Sequence, residues 1–344
     1  MSLMSDVSDR FELRHARRNA VRRLGALGLA SLAFPAKHAV ANPLRAYPGK
    51  PIRILIGYAP GGSADVSARI AAEALQGALG QSVVVENLPG ASGSIAARVA
   101  ARSAPDGYTL LLGNTTEISI SQHLIKDLGY RPLADLVPIV PVYSITHAIA
   151  VSAKSRYRSL EDLLSDARDN PGAVTFASAG VGTPGHLAGE MLGLRTGTAL
   201  VHVPYKGGGQ VLADLLGGQL ACHFGALSTA MPHAMSGSLR VLAVTAGQRV
   251  ATVPDVPAVS EIAGIEDFDF PLWGDVFAPG DTPREIVDLL NATLNKAYQR
   301  PEVQSRIKAL YSEIWSATSD QFARFLAADA ERYGRVIEES RISL

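Results

Sequence analysis

One stretch constrains this chain more than any other. Residues 51–58, PIRILIGY, have an unbroken apolar centre and run straight into Ala59-Pro60-Gly61-Gly62-Ser63, which opens a helical pattern. A strand apolar on both sides of its pleat is covered on both faces, as in parallel sheets flanked by helices. The same device, a buried strand, a glycine-rich turn and a helix start, returns at Ser178 to His186. The first helix is expected from about Ala64 to Gln76, with Val66, Ile70, Ala74 and Leu75 on one face and with Gly77 and Gly80 stopping it. Ser82–Glu86 reads as a second strand. Gly90-Ala91-Ser92-Gly93-Ser94 opens a helix through Ala101, and Asp106-Gly107 turns into a third strand, Tyr108–Leu112.

The rhythm resumes beyond a stretch punctuated by Pro132, Pro138 and Pro141. Strands are expected at 148–151, 174–177, 200–203, 220–225, 240–244 and 276–278. Ser159, with Asp162 three residues on, caps one helix, and others are expected at 187–194, up to Leu216, at 283–299 and from about 319 to 340. This alternation predicts an α/β fold with two mostly parallel sheets in two lobes, and it puts a ligand cleft between the lobes.

A length of 344 residues and a hydrophobic fraction of 47% suffice for two domains. The first 41 residues read differently. Arg14, Arg17, Arg18, Arg22 and Arg23 precede an apolar run from Leu24 to Phe34 and the small-residue site Ala39-Val40-Ala41. That is the layout of a secretory signal peptide removed near Ala41; Arg17-Arg18 matches twin-arginine export only loosely, because Ala20 stands where a bulky apolar residue is usual. The expected location is therefore the periplasm. No stretch reaches the ~18 apolar residues of a membrane helix. Residues 1–41 carry seven basic and three acidic side chains in a chain of zero formal charge, so the remainder carries −4. A slightly acidic body without a basic patch argues against nucleic acid as a partner. Cys222 is the single cysteine and is expected to be a buried, inert thiol.

The glycine loops carry the chemistry. A helix N-terminus presents unpaired amides and about half a positive charge, and glycine lets a ligand approach that backbone closely. Such a site holds anions without arginine or lysine. Two of them on opposite lobes would grip a carboxylate from both sides, each charge-assisted bond contributing roughly 1.5–3 kcal/mol. Asp65, in the first helical turn, either compensates the dipole or accepts a hydrogen bond from a ligand hydroxyl or amine. Gly180-Val181-Gly182-Thr183-Pro184-Gly185 matches the dinucleotide pattern G-x-G-x-x-G. However, the acid expected about 20 residues on is replaced by Val203-Pro204-Tyr205-Lys206. No G-x-S-x-G elbow, P-loop or H-E-x-x-H is present. His186 and Glu190, four apart, are two groups where a metal site needs more. A Ser/His/Asp triad assembled from distant residues stays open at this stage.

The motifs in order resemble those of one family, the solute receptors of tripartite tricarboxylate transporters, also called Bug proteins. They are Tyr47-Pro48-Gly49-Lys50-Pro51-Ile52-Arg53, Tyr58-Ala59-Pro60-Gly61-Gly62 with Asp65 and Ala68-Arg69, and Val85-Glu86-Asn87-Leu88-Pro89-Gly90-Ala91. Ala104-Pro105-Asp106-Gly107-Tyr108-Thr109-Leu110-Leu111 and His202-Val203-Pro204-Tyr205-Lys206-Gly207 follow. Val253-Pro254-Asp255-Val256-Pro257, Trp273-Gly274 and Ala278-Pro279 complete the series. The resemblance covers nearly all of the chain after residue 42. It implies a type II-like periplasmic-binding-protein fold, with lobe one at 43–145 plus 272–344 and lobe two at 146–271. It also implies binding of small carboxylates through backbone amides and ordered water. Carried onto this chain, the first binding loop is Tyr58, Ala59, Pro60, Gly61, Gly62 and Ser63 with Asp65. The facing loop is Ser178, Ala179, Gly180, Gly182 and Thr183 with His186. Asn114, Thr115 and Thr116, together with Tyr205 and Lys206, are further candidates.

Three positions depart from the family pattern. Tyr58 stands where Phe is usual and adds a hydroxyl within reach of a ligand or water. Asp275-Val276 replaces Gly-Leu; if Asp275 faces the cleft it disfavours a second carboxylate or favours an amine. Leu136 replaces Phe, a packing change. The expected function is capture of a mono-, di- or tricarboxylate or acidic amino acid by a monomer that uses no metal or cofactor. The closed form would hand its ligand to membrane transporter subunits or signal to a sensor protein. The alternative is an exported enzyme acting on a small acid, either a hydrolase or a dinucleotide-dependent oxidoreductase.

Overall fold

A computed structural model describes residues 47–342 except 206, 207, 267 and 314. The expected leader and Lys206 lie outside the described residues. In chain order the main elements are β1 (Ile52–Ile56), α1 (Ser63–Leu79), β2 (Val83–Asn87), α2 (Ser94–Ala101), β3 (Thr109–Asn114) and β4 (Leu136–Ile145). They continue with β5 (His147–Ser152), α3 (Leu160–Asp169), β6 (Val174–Ser178), α4 (Pro184–Thr196), β7 (Leu200–Pro204) and α5 (Gly208–Leu216). The remainder is β8 (Cys222–Ala226), α6 (Leu227–Met235), β9 (Leu239–Val244), β10 (Leu272–Pro279), α7 (Arg284–Tyr298), α8 (Pro301–Lys308), β11 (Ser312–Glu313) and α9 (Ser319–Ser340).

The strands form two sheets, in the orders β11-β4-β10-β3-β1-β2 and β7-β6-β8-β5-β9. This is the α/β two-sheet fold that the alternation predicts. Each sheet holds a parallel triad, β2-β1-β3 and β7-β6-β8, extended by antiparallel strands where the chain crosses between sheets. The periodicity of β1 explains its double cover. Ile52, Ile54 and Ile56 pack with Ile70 and Leu75 of α1 and Leu290 and Leu294 of α7. Leu55 faces the other way, with Ala96 and Ala97 of α2 and Phe322 of α9. In the second sheet Phe176 and Phe224 pack under α3 and α4, while Ala150 and Ala177 lie under α5.

Three elements differ from their expected form. Helix α1 runs through Gly77 and ends only at Gly80, whose φ of 69° forms a left-handed cap. The proline-punctuated stretch is a ten-residue strand, β4. Its prolines are tolerated because, among the described residues, β11 pairs only at Ser144 and Ile145, leaving most of that edge without a strand partner, and the β10 register slips along its length. Finally, α9 belongs to both cores: Phe322 and Leu326 pack with the first sheet, Tyr333 and Ile337 with the second.

The two crossings run side by side. Leu272 pairs with Ile145. The Thr245 amide donates to the His147 carbonyl, and the Phe270 amide to the Thr245 carbonyl.

Gly57 ends β1 with its backbone against Gly93, and a Cβ there would lie 2.3 Å from the Gly93 Cα. Gly77 has nothing within 4 Å of a Cβ. The same substitution should therefore have opposite signs. In urea denaturation, Gly57→Ala is expected to destabilise by about 2 kcal/mol or more, and Gly77→Ala to stabilise by about 0.5–1 kcal/mol.

Candidate functional site

Both glycine loops leave the carboxyl end of the middle strand of a parallel triad, β1 in one sheet and β6 in the other. That end of such a strand is where open α/β sheets form ligand crevices. The loops converge on Ser92: its Oγ lies 3.5 Å from the Val181 carbonyl, and its own carbonyl accepts the Tyr58 hydroxyl at 3.1 Å.

The first loop is open to a ligand. Ala59, Pro60, Gly61 and Gly62 are exposed, and Gly61 has a φ of 89° that favours glycine. Gly62 is the N-cap of α1 and, among the described residues, no side chain caps this helix, so its first-turn amides and the positive end of its dipole face outward beside Ser63. Asp65 holds the loop in shape. Its Oδ2 accepts the Gly61 amide and Arg69 Nε, both at 3.0 Å, and its Oδ1 accepts Arg69 and Asn87, also at 3.0 Å. Burial pushes this carboxyl up, but Arg69, Gly61 and Asn87 outweigh it and hold it below the usual carboxylate range. With four bonds already made to the chain, Asp65 has no free oxygen for a ligand. Its recorded bonds are all to the protein, to the loop, Arg69 and Asn87, and not toward a ligand.

The facing loop is built on a different principle, and here the expectation of two open helix ends needs correction. Thr183 caps α4 by accepting the His186 amide, and Pro184 follows in the first helical turn. The Gly182 amide donates to His186 Nδ1 at 3.1 Å, and the Gly180 amide to Ser178 Oγ at 3.3 Å. Ser178 Oγ lies 2.8 Å from His202 Nε2, and the His186 and His202 rings stack at 4.0 Å. The helix end is closed by its own side chains. What faces Ser92 is the Val181 carbonyl, and Ala179 beside it is exposed.

The remaining candidates divide. Tyr58 turns its hydroxyl inward, 2.8 Å from Glu117 Oε2, so it does not reach outward to a ligand. Asn114 joins this inner group at 3.3 Å from Tyr58 and accepts the Thr116 amide. Thr115 lies at the second crossing, where its Oγ1 accepts the Trp273 amide at 3.0 Å. The Tyr205 hydroxyl is taken by Asp214, while its backbone bonds Ser178. Asp275 does not face the cleft: it is fully buried, accepts the Val140 amide at 2.9 Å, and sits near Tyr298 of α7.

Glu117, Ser92 and His202 were missing from the sequence-derived site. Glu117 is fully buried in a π turn, Thr116–Ile120, that directly follows β3. Such turns often mark functional positions. A cavity of about 620 Å³ lies elsewhere, along residues 122–135.

The profile of the Tripartite tricarboxylate transporter family receptor matches residues 67–342. Protein BugT of Bordetella pertussis is 36% identical over 329 residues, which cover 95% of this chain and 99% of that protein. Among solved structures, Rpa4515 of R. palustris with adipate is 29% identical, with a TM-score of 0.81 over 86% of this chain and 99% of that one. MatC of Rhodopseudomonas palustris with bound malate is 27% identical, with a TM-score of 0.77 over 85% and 100%.

The histidines of the facing loop make it sensitive to acid. Burial pulls His186 down to about 4, and burial together with His186 pulls His202 down to about 3. Unfolded, both titrate near pH 6.5, so below that value the unfolded chain binds more protons and stability falls with pH. His186→Asn keeps an acceptor for the Gly182 amide and removes the titration. Between about pH 6.5 and 4 its unfolding free energy should fall less steeply than that of the wild type, by up to about 1.4 kcal/mol per pH unit. Equal slopes would mean that His186 is already charged in the folded protein.

Proposed function

This chain belongs to the tripartite tricarboxylate transporter receptor family, a family of periplasmic solute-binding proteins and not of enzymes, and from that premise we propose that it captures a small carboxylate between two lobes. The observation that carries the reading is the uncapped N-terminus of α1, presented by Gly61, Gly62 and Ser63 at the carboxyl end of a central strand. A carboxylate there accepts first-turn amides and meets the positive end of the helix dipole. The loop 178–183 closes the other side, with Ala179 and the Val181 carbonyl facing it directly or through water. Relatives solved with adipate and with malate support a dicarboxylate within the wider class of mono-, di- and tricarboxylates and acidic amino acids.

The lobes of this reading are 43–145 plus 272–344 and 146–271. In support, sheet membership changes between Ile145 and His147 and again between Val244 and Leu272. The closed form would hand its ligand to membrane transporter subunits or to a sensor. Residues 1–41 would be the export signal, removed near Ala41.

Titration calorimetry and thermal shift with malate, adipate, a tricarboxylate, an acidic amino acid and a neutral sugar test the proposal. At least one acid should bind one-to-one, and a hundredfold excess over its Kd should stabilise the fold by about 2.7 kcal/mol. Ser63→Asp places a carboxylate at the open helix end. It should weaken the acid by at least about tenfold without lowering the melting temperature, since an acid suits that turn of the helix. Saturable binding of the sugar and of none of the acids would end the reading.

A further inference from the structure

Behind the first glycine loop, Glu117 closes a network that holds one proton too few if its carboxyl is ionised. Oε1 accepts the Asn114 amide at 3.0 Å, and Oε2 lies 2.8 Å from the Tyr58 hydroxyl. The same hydroxyl lies 3.1 Å from the Ser92 carbonyl and 3.3 Å from Asn114 Oδ1. Asn114 Oδ1 accepts the Thr116 amide at 2.9 Å, so it too faces the hydroxyl as an acceptor. Tyr58 has a single proton for these three acceptors. With Glu117 ionised, lone pairs would oppose one another in a space from which water is excluded. With a proton on Oε2, Glu117 donates to Tyr58 and Tyr58 donates onward to the Ser92 carbonyl. The fit is close: a Cβ on Gly93 would lie 2.8 Å from Glu117 Oε2 and 3.0 Å from the Tyr58 hydroxyl.

Among the described residues no cation offsets a charge on Glu117. The titratable groups facing it are phenols: Tyr58 from the glycine loop, Tyr143 from β4, and Tyr130, which donates to the Glu117 carbonyl at 2.7 Å. Arg98 of α2 is bound to the Leu128 carbonyl. Arg131 pairs with Asp135 on the neighbouring turn. On α9, which packs against the π turn, Asp329 and Arg332 pair with each other.

We propose that Glu117 is held as a neutral carboxylic acid that donates to Tyr58, and that an acid binding at Gly61–Ser63 is coupled to the retention of that proton. The coupling rests on the binding site proposed above. Glu117 touches no ligand. It is a positioning residue acting through Tyr58 and the Ser92 carbonyl. Ser92 belongs to a run, Gly90 to Gly93, in which all four φ angles are positive (136°, 47°, 50° and 93°). A backbone so constrained needs its surroundings to hold it, and the Tyr58 bond to Ser92 does so. A bound anion opposes ionisation of a buried carboxyl nearby, and by reciprocity loss of the proton weakens the anion. Burial pushes the Glu117 carboxyl up to about 8, so the coupling falls within an accessible range.

Malate and adipate, both fully ionised above about pH 6.5, are the probes, titrated from about pH 6.5 to about pH 9.5. Wild-type affinity should be level at first and then fall by up to about tenfold per pH unit above about pH 8. Glu117→Gln presents an amide donor to Tyr58 and an acceptor to Asn114. It should bind within about twofold of the wild type at pH 6.5 and show no such fall. A level wild-type profile, or the same fall in the glutamine variant, overturns the coupling.

Urea unfolding without ligand tests the proton by itself. Folded Glu117 keeps a proton that the unfolded chain releases near 4.5, so the wild type should lose stability relative to Glu117→Gln between about pH 4.5 and 8. A constant difference across that window overturns the neutral acid. If neither binds, the acid that binds in the screen above takes their place; failure of every acid in that screen at every pH would overturn the site reading and the coupling with it, while the unliganded profile still decides the proton.

Discussion

Gly57 and Gly93 bring two backbones into direct contact at the end of β1, where a methyl group on the first would meet the Cα of the second. The rest of the site depends on that approach. It lets the segment Gly90–Gly93 lie against β1, which puts the Ser92 carbonyl within reach of the next side chain on the strand, Tyr58. It also leaves room for the Glu117 carboxyl, which packs on the far side of Gly93. The loop that follows can then leave the sheet with its amides outward, because its inner side is already bonded through Tyr58, Asn87 and Asp65. A glycine pair thus does for the loop what a larger core contact cannot: it sets the separation of two main chains without a side chain between them.

What could be read from the sequence follows from range. The strand β1 and its glycine turn were legible because apolar continuity and Gly61-Gly62 are local signals. Helix α9 was placed correctly for the same reason, and Ser159 with Asp162 forms a full capping box. Gly77 was read as a stop because a glycine inside a helix and one at its end look alike until the left-handed residue, Gly80, is located. Strand β4 was hidden by Pro138 and Pro141, whose missing amides matter only on a bonded edge. Glu117 carried no signal at all. Followed by Ile118, it reads as one acid among many. Its importance arises from Asn114, three residues before it, and from Tyr58 and Gly93, which the fold brings to it from two other segments.

The crossing region limits how the lobes can move. Trp273 Nε1 donates to Asp329 of α9 at 2.9 Å, Arg332 bonds Asp329 and the Asp269 carbonyl, and Tyr333 reaches the Pro271 carbonyl. The last helix therefore grips the second crossing while its two ends pack in different cores. A motion that parted the sheets by translation would pull Phe322 or Tyr333 from its core, each a fully buried aromatic. Loss of such a side chain costs about 3–5 kcal/mol by analogy with truncation. Rotation about the line through α9 and the paired crossings costs far less, since it bends a few main-chain bonds and leaves both cores closed. If the two lobes proposed above open, the packing favours a hinge about that line over a sliding apart.

The two faces of the cleft then have different duties. On one side, the first turn of α1 has no side-chain cap among the described residues, and on the proposed reading an anion would satisfy those amides. On the other side, Ser178, Thr183, His186 and His202 have already met the needs of the loop, which makes it stiff and nearly neutral. Two open helix ends facing each other would bind any small anion strongly, water-borne inorganic ions included, because dipole and amides alone do not discriminate shape. On the proposed reading, one open end opposite a saturated wall would fix a single carboxylate and leave the rest of the ligand to be judged by fit. Selectivity among acids would then reside in the shape of the 178–183 wall and in the Val181 carbonyl, which repels a second charge placed too close to it, while attraction would reside at Gly61–Ser63.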